Sequence, residues 1–587
     1  MKIDLKMLSR DQGFKILGAT SEDVTGIAVS GAGDVNADGM PDMIVGAPAA
    51  GATERSSSGS AYIVYGQKLG KDFGDIDLNN LSPNQGFKIL GENNTDWAGI
   101  SVSNAKDING DRIDDIIMGA SLASPLGRKY SGISYVIYGK KGGYKSIELS
   151  DLDNTQGFKI IGASSKDQSG AVVSSAGDVN GDGIADVAIG AAGASPFGRD
   201  NGGESYVIYG KKGGYDTIDL NGTLDRNVGF KISGAHGGKF GMGDLSYIIS
   251  GVGDINKDGI DDVAIGAFNA HTLERESQGL VHVLYGVKGI RSDIDLLKFN
   301  NTQGFRILAA DDDRFGGAVA NAGDVNADGI SDIIIGAYEG VPLGRFQAGI
   351  SYVIYGKKGG YSDDIDLLYF NRTHGFKILG EANSCSGGAV AGAGDINSDG
   401  IDDVAIGAFN AAPFGRSEAG AGYVVYGKKG GYIKDVDLSN LTDDGFGIFG
   451  AAAKDNAGQS LSGVLDINGD GVNDIIVGAP GVSLSGRSEA GVAYVIYGSD
   501  NVDKSNLSSV SPVVIVTPPP KGAADSEVSK SWVHDHIGLL GGIAGTVVAC
   551  AAMSVLGYYA YKHYHSHHDI DGGVELGNHL VDTDAGL

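Results

Sequence analysis

The chain is expected to be all-β: a seven-bladed β-propeller, followed by a stalk and a single C-terminal transmembrane helix. Three observations predict this. An acidic motif, Asp-x-Asn-x-Asp with a further Asp at its ninth position, occurs seven times at spacings of 70 to 76 residues. Each repeat unit holds four short runs rich in Val, Ile, Phe or Tyr and bounded by glycine or polar turns, which is the signature of β-strands. Glycine is abundant at 98 of 587 residues and proline sparse at 12, without a Gly-X-Y period, as suits many short strands joined by tight turns.

The unit reads in a constant order. It opens on Gly-Phe, as in QGFKILG at Gly13 and Gly86, and continues through a piece resembling GIAVSGAG. The acidic motif follows, as DVNADGMPD at Asp34, DINGDRIDD at Asp107, DVNGDGIAD at Asp178 and DINKDGIDD at Asp254. The remaining copies are DVNADGISD at Asp324, DINSDGIDD at Asp395 and DINGDGVND at Asp466. Then comes DMIVGAP or DVAIGAF, and the unit closes on AYIVYG or SYVIYG. Four strands per unit and seven units favour radial repetition, which leaves only short, protected sheet edges. A β-sandwich array or a solenoid is the structural alternative. The expected organisation is a propeller over 1–499, a Ser/Pro-rich linker over 500–536, a transmembrane helix over 537–561 and a short tail over 562–587.

The formal net charge of −28 excludes nucleic acid as a partner, because phosphate binding needs a basic surface. Cys385 and Cys550 are the two cysteines, so no cystine framework exists. The opening residues MKIDLKMLSRDQGFKILG lack the apolar h-region of a signal peptide, so they do not explain export. IGLLGGIAGTVVACAAMSVLGYYAY, from Ile537 to Tyr561, is uncharged over 25 residues, where about 20 span a bilayer. The following KHYHSHH reads as a weak positive-inside cap more readily than as a metal tract, leaving the tail cytoplasmic and the propeller outside. Gly538, Gly542, Gly541 and Gly545 form two Gly-x-x-x-Gly pairs that permit close helix pairing and a helix-mediated dimer.

The acidic loops point to a hard cation. In the first, Asp34, Asn36, Asp38 and Asp42 supply side-chain oxygens and Met40 a backbone carbonyl. The equivalent sets are Asp107, Asn109, Asp111, Ile113 and Asp115, then Asp178, Asn180, Asp182, Ile184 and Asp186. The fourth and fifth are Asp254, Asn256, Asp258, Ile260 and Asp262, then Asp324, Asn326, Asp328, Ile330 and Asp332. The last two are Asp395, Asn397, Asp399, Ile401 and Asp403, then Asp466, Asn468, Asp470, Val472 and Asp474. All-oxygen sets of this size and flexibility favour Ca²⁺ over Mg²⁺, and modest-affinity sites suit millimolar extracellular calcium. Two like charges at 4 Å repel by roughly 4 kcal/mol at an effective dielectric near 20, so the repeated clusters call for a counter-ion. The alternative is a solvated Asx-rich turn, which seven equally spaced copies disfavour. Val or Ile at position two and an apolar residue at position seven suggest a loop tied to the blade, a stabilising clip more than a catalytic centre. The second loop departs by carrying Arg112 where the others have the turn glycine, which puts its occupancy in doubt.

These loops, the Gly-Ala-Pro at Gly46, Ala47, Pro48 and at Gly478, Ala479, Pro480, and the Phe-Gly at Phe240, Gly241 and Phe315, Gly316 resemble FG-GAP repeats. Such repeats build the seven-bladed propeller of integrin α-subunits and similar bacterial surface proteins. The resemblance covers roughly residues 1 to 499. It implies calcium in loops on one face and adhesion or ligand binding on the other. Most units lose the Phe or the Pro, as at Thr25, Ala98, Phe268 and Tyr338, which weakens any carry-over of integrin-type ligands.

Two further positions recur. An arginine lies 21 residues beyond the first loop aspartate: Arg55, Arg128, Arg199, Arg275, Arg345, Arg416 and Arg487. It either fixes its own turn or forms a cationic ring for an anionic ligand. A tyrosine lies 31 beyond: Tyr65, Tyr138, Tyr209, Tyr285, Tyr355, Tyr426 and Tyr497, read as core. The expected function is a membrane-anchored, calcium-stabilised propeller for adhesion or ligand binding, not an enzyme. The protein or glycan ligand is unidentified; a carbohydrate-binding propeller and a hydrolase with a propeller-borne site are the alternatives. His236, His271, His282 and His374 fall at unrelated places in their units, and no nucleophile-elbow, zincin or P-loop pattern stands in a convincing context.

Overall fold

The computed structural model describes residues 2–51, 55–68, 74–235, 248–270, 279–310 and 313–499. The linker, the apolar segment 537–561 and the tail lie outside the described residues, as do Phe240, Gly241, Arg275, His236 and His271. Among the described residues no helix is long and apolar enough to cross a membrane.

Seven sheets form a seven-bladed β-propeller, as the repeats predict. In blade 1 the order from the axis outward is Val29–Gly33, Asp42–Ala47, Ser60–Val64, Gly86–Leu90 and Ser146–Glu148. The first four pair antiparallel and the fifth pairs parallel. The innermost strands of neighbouring blades touch in a closed ring, from Val29–Gly33 round to Ser460–Leu465 and back. The alternation of buried and half-buried residues in Gly86–Leu90 marks an outer strand. The wholly buried Asp42–Ala47 marks one packed on both faces.

Two details depart from the four-strand unit read in the sequence. Each sheet has five strands, and the outer two come from later units. The Gly-Phe strand that opens a unit is the outer strand of the preceding blade, because its third-strand partner ends just before it in the chain. A further two- or three-residue strand, such as Ile218–Asp219 or Val436–Asp437, is too short to carry a readable period. The ring closes by the same rule. The strand Gly13–Leu17 completes blade 7 beside Val492–Ile496, and Lys2–Asp4 completes blade 6 beside Gly445–Phe449.

Candidate cation loops and the family they belong to

Connections in an antiparallel blade alternate between its two ends. The acidic loops join the first strand to the second, so all lie at one end with the turns leaving the third strand. The arginine turns join the second strand to the third and lie at the opposite end.

Each acidic loop is wound by its own backbone. The Asp34 carboxylate accepts the N–H groups of Asp38 at 3.0 Å and Gly39 at 2.9 Å, and Asp38 accepts the N–H of Met40 at 3.0 Å. Asp42 accepts the N–H of Val35 and of Gly66, both at 3.0 Å. The pattern repeats through Asp474, which accepts from Ile467 at 3.0 Å and Gly498 at 2.9 Å. The position-two residues are buried in every loop, from Val35 to Ile467, and tie it to the blade. Loop 2 keeps the fold despite Arg112, whose N–H donates to Asp107 at 2.8 Å from a left-handed φ of 73°.

The ninth-position aspartates, Asp42, Asp115, Asp186, Asp262, Asp332, Asp403 and Asp474, are fully buried. Burial, opposed by backbone N–H groups and reinforced by the two carboxylates of the same loop, pushes each up to about 8. Among the described residues no three acidic, His or Cys side chains close into a metal cage. The loop carboxylates are instead turned toward backbone N–H groups. A carboxylate has about four lone-pair directions, so a backbone contact leaves room for a cation. The side-chain oxygens of Asn36, Asn109, Asn180 and Asn256 are buried without any hydrogen-bond partner. Orphaned buried acceptors beside a buried carboxylate fit a hard cation, and the position-seven carbonyl would complete an all-oxygen donor set.

The six recurring arginines among the described residues have carboxylate partners. Arg345 donates to both oxygens of Asp437 at 2.8 and 2.7 Å and to the Gly380 carbonyl at 3.1 Å. Arg199 grips Asp295, Arg416 grips Asp4 and Arg487 grips Asp77 in the same two-pronged way, while Arg55 reaches Glu148 and Arg128 reaches Asp219. Each partner sits on or beside the short fifth strand, so the arginine fixes its turn to the blade rim. The guanidiniums meet protein carboxylates, as the turn-fixing reading requires of them. The tyrosines are buried or half-buried. The hydroxyls of Tyr138, Tyr285 and Tyr355 accept backbone N–H groups of Tyr215, Tyr361 and Tyr432 from the next blade.

Two features escaped sequence reasoning. The residue two before each arginine is exposed in four turns, as Leu126, Phe197, Leu343 and Phe414, each at a φ of 54°. The recurring Pro-Leu/Phe-Gly-Arg was the available signal. At the other end, aspartate at loop position eight recurs only in loops 2, 4 and 6, as Asp114, Asp261 and Asp402, and so lies outside the sevenfold pattern.

Glycine pairs explain the remaining repeats. A Cβ on Gly46 would lie 2.1 Å from the Gly99 carbonyl oxygen of the next blade, and one on Gly119 would lie 1.8 Å from that of Gly170. The same approach joins Gly336 to Gly387 at 1.9 Å and Gly478 to Gly26 at 2.0 Å. The glycine of Gly-Ala-Pro thus meets the glycine of Phe-Gly across each such blade boundary. Those glycines stay while Phe and Pro drift.

The FG-GAP repeat matches residues 25–64, 98–137, 169–208, 247–284, 315–354 and 457–496, the inner three strands of six blades. Integrin alpha pat-2 of Caenorhabditis elegans is 32% identical over 284 residues, 44% of this chain and 21% of that protein. Phosphatidylinositol-glycan-specific phospholipase D of Mus musculus is 32% identical over 185 residues, 31% of this chain and 20% of that protein. Integrin alpha-5 of Xenopus laevis is 30% identical over 235 residues, 38% of this chain and 20% of that protein. The matches span about a fifth of the length of these relatives. The chain is an FG-GAP repeat protein with an integrin-alpha-like propeller.

Proposed function

We propose that the protein is a calcium-stabilised adhesion or ligand-binding propeller, held to a membrane by residues 537–561. The carrying observation is the set of four buried, partnerless asparagine oxygens, each in a loop that also buries an aspartate. Calcium at these positions would satisfy the orphaned acceptors and neutralise the clustered carboxylates. It would leave the loops as rigid clips. Ligand contact then falls to the opposite end, where Leu126, Phe197, Leu343 and Phe414 are between 62% and 74% exposed. Phe197 and Phe414 lie over the guanidiniums of Arg199 and Arg416, both at 4.8 Å, so these apolar tips rest on a braced turn. The described chain leaves at the acidic-loop end, where the Ser499 N–H donates to the Ile396 carbonyl. A membrane segment following it would turn the apolar tips outward.

Thermal melting in millimolar calcium against EGTA tests the metal. We expect a clear upward shift with calcium, and no shift would sink the calcium reading. Replacing the four exposed tips with serine tests the face: the variant should stay folded and lose capture of cells or of a glycan array. Full capture by the folded variant would move the ligand site elsewhere. The relationship to a phospholipase D supports the hydrolase reading to a lesser degree. His282 does not serve it, being buried edge-on against Phe299 at 5.1 Å, with burial pushing its pKa down to about 3. Incubation with a phosphatidylinositol-glycan-anchored protein should release no anchor product, and release would establish an enzyme.

A further inference from the structure

We propose that the acidic loops take up calcium in pairs, the eighth-position aspartate of one loop holding the first-position aspartate of the loop before it. This rests on the calcium reading above and adds to it an order among the sites. Position eight is Asp114 in loop 2, Asp261 in loop 4 and Asp402 in loop 6. Each stands between the carbonyl of position seven and the buried carboxylate of position nine. Each sends its side chain out of its own loop into the preceding blade. There Asp114 accepts the backbone N–H of Asp34 at 2.9 Å, Asp261 that of Asp178 at 2.9 Å, and Asp402 that of Asp324 at 2.8 Å.

The fit is close. Gly33, Gly177 and Gly323 precede those first-position aspartates, and a Cβ on them would fall 2.2, 2.1 and 2.4 Å from the incoming carboxylate oxygen. Their φ values of 72°, 77° and 74° favour glycine as well. Elsewhere position eight is Pro41, Ala185, Ser331 or Asn473, and Ala185 and Asn473 reach the preceding loop only by a main-chain N–H, 3.4 Å from the carbonyls of Asp107 and Asp395. Where Pro41 stands, a cleft opens that is lined by Asp34, Pro41, Asp114, Asp466 and Asn473.

The coupling follows from chain connectivity. A cation drawing in Ile113 and Asp115 fixes Asp114 between them. Asp114 in turn fixes the N–H of Asp34, whose carboxylate serves loop 1. The loop 1 site is then organised before its ion arrives, and by linkage the effect runs equally in reverse. The pairs joined by a carboxylate are loops 1 and 2, 3 and 4, and 5 and 6; loop 7 touches loop 6 only through Asn473 and has no such carboxylate.

Calorimetric titration of the calcium-free full chain with calcium tests this. Asp258→Asn in loop 4 should remove one ion and weaken a second about tenfold, the range of a lost hydrogen bond to a charged group. Asp470→Asn in loop 7 should remove one ion and weaken none. Asp261→Ala should weaken two ions, and Asp261→Asn should do the same, since loop 7 already carries the amide Asn473 at this position, with its nitrogen toward Gly394. Equal effects of Asp258→Asn and Asp470→Asn would overturn the pairing, as would parent-like calcium binding by Asp261→Asn. A parent chain that binds calcium at independent loops removes the pairing alone, while a parent that binds none removes the calcium reading with it. The same substitutions at Asp114 and Asp402 repeat the test where a variant at Asp261 fails to fold.

Discussion

Replacing Asp437 with asparagine should destabilise the propeller at neutral pH and lose that effect in acid. Arg345, helped by Ser439, holds the Asp437 carboxyl down at about 2, against an unfolded value of about 3.9. A shift of that size corresponds to about 2.5 kcal/mol if fully expressed. Asp437 and Arg345 are 31% and 25% exposed, so solvent screening reduces this to about 1–2 kcal/mol. The sign follows from the depressed pKa. The contribution is complete above about pH 5 and falls as the folded carboxyl protonates. It halves by about pH 3 and is almost gone near pH 2. Urea unfolding followed by circular dichroism, run on parent and Asp437→Asn at pH 7 and pH 3, reads the difference directly. Other carboxylates titrate in both proteins and cancel. A deficit equal at the two pH values would refute the ion-pair account and leave only lost packing.

Three further outcomes follow from backbone geometry. Arg112→Gly should stabilise the fold by about 1 kcal/mol in a calcium-free thermal melt, since it relieves a left-handed arginine and leaves its N–H bond to Asp107 in place. Gly119→Ala should cost more than about 3 kcal/mol or prevent folding, because its Cβ meets a backbone carbonyl of the next blade that has no room to move. Gly39→Ala, with φ of 89° and nothing within 4 Å of the added carbon, should cost only about 1–2 kcal/mol in the same melt.

Much of this architecture was readable because it recurs. Seven copies of one loop announced the blade count, and the buried Val35 and Ile467 behave as their apolar position implied. What repeats in the chain does not state which copy it pairs with. Arg345 finds its carboxylate on a strand 92 residues away, and the Asp437 partner sits in a two-residue element with no pattern of its own. For the same reason the repeat does not state that a blade takes its outer strands from the next unit. Asp114, Asp261 and Asp402 were missed because they break the sevenfold symmetry that made the other positions visible. Residues that differ among repeats carried information the shared ones could not.

The borrowed outer strands bear on how such a molecule can grow or shrink. A segment cut at the Gly-Phe boundary removes an outer strand from one neighbour and leaves its own blade unfinished on the other side. A stretch such as residues 25–90 instead carries the first four strands of blade 1 intact. A fragment meant to fold as one blade therefore has to be staggered against the sequence repeat. The unit that is copied and the unit that packs are out of phase by two strands, so the chain itself stitches each blade to its neighbour.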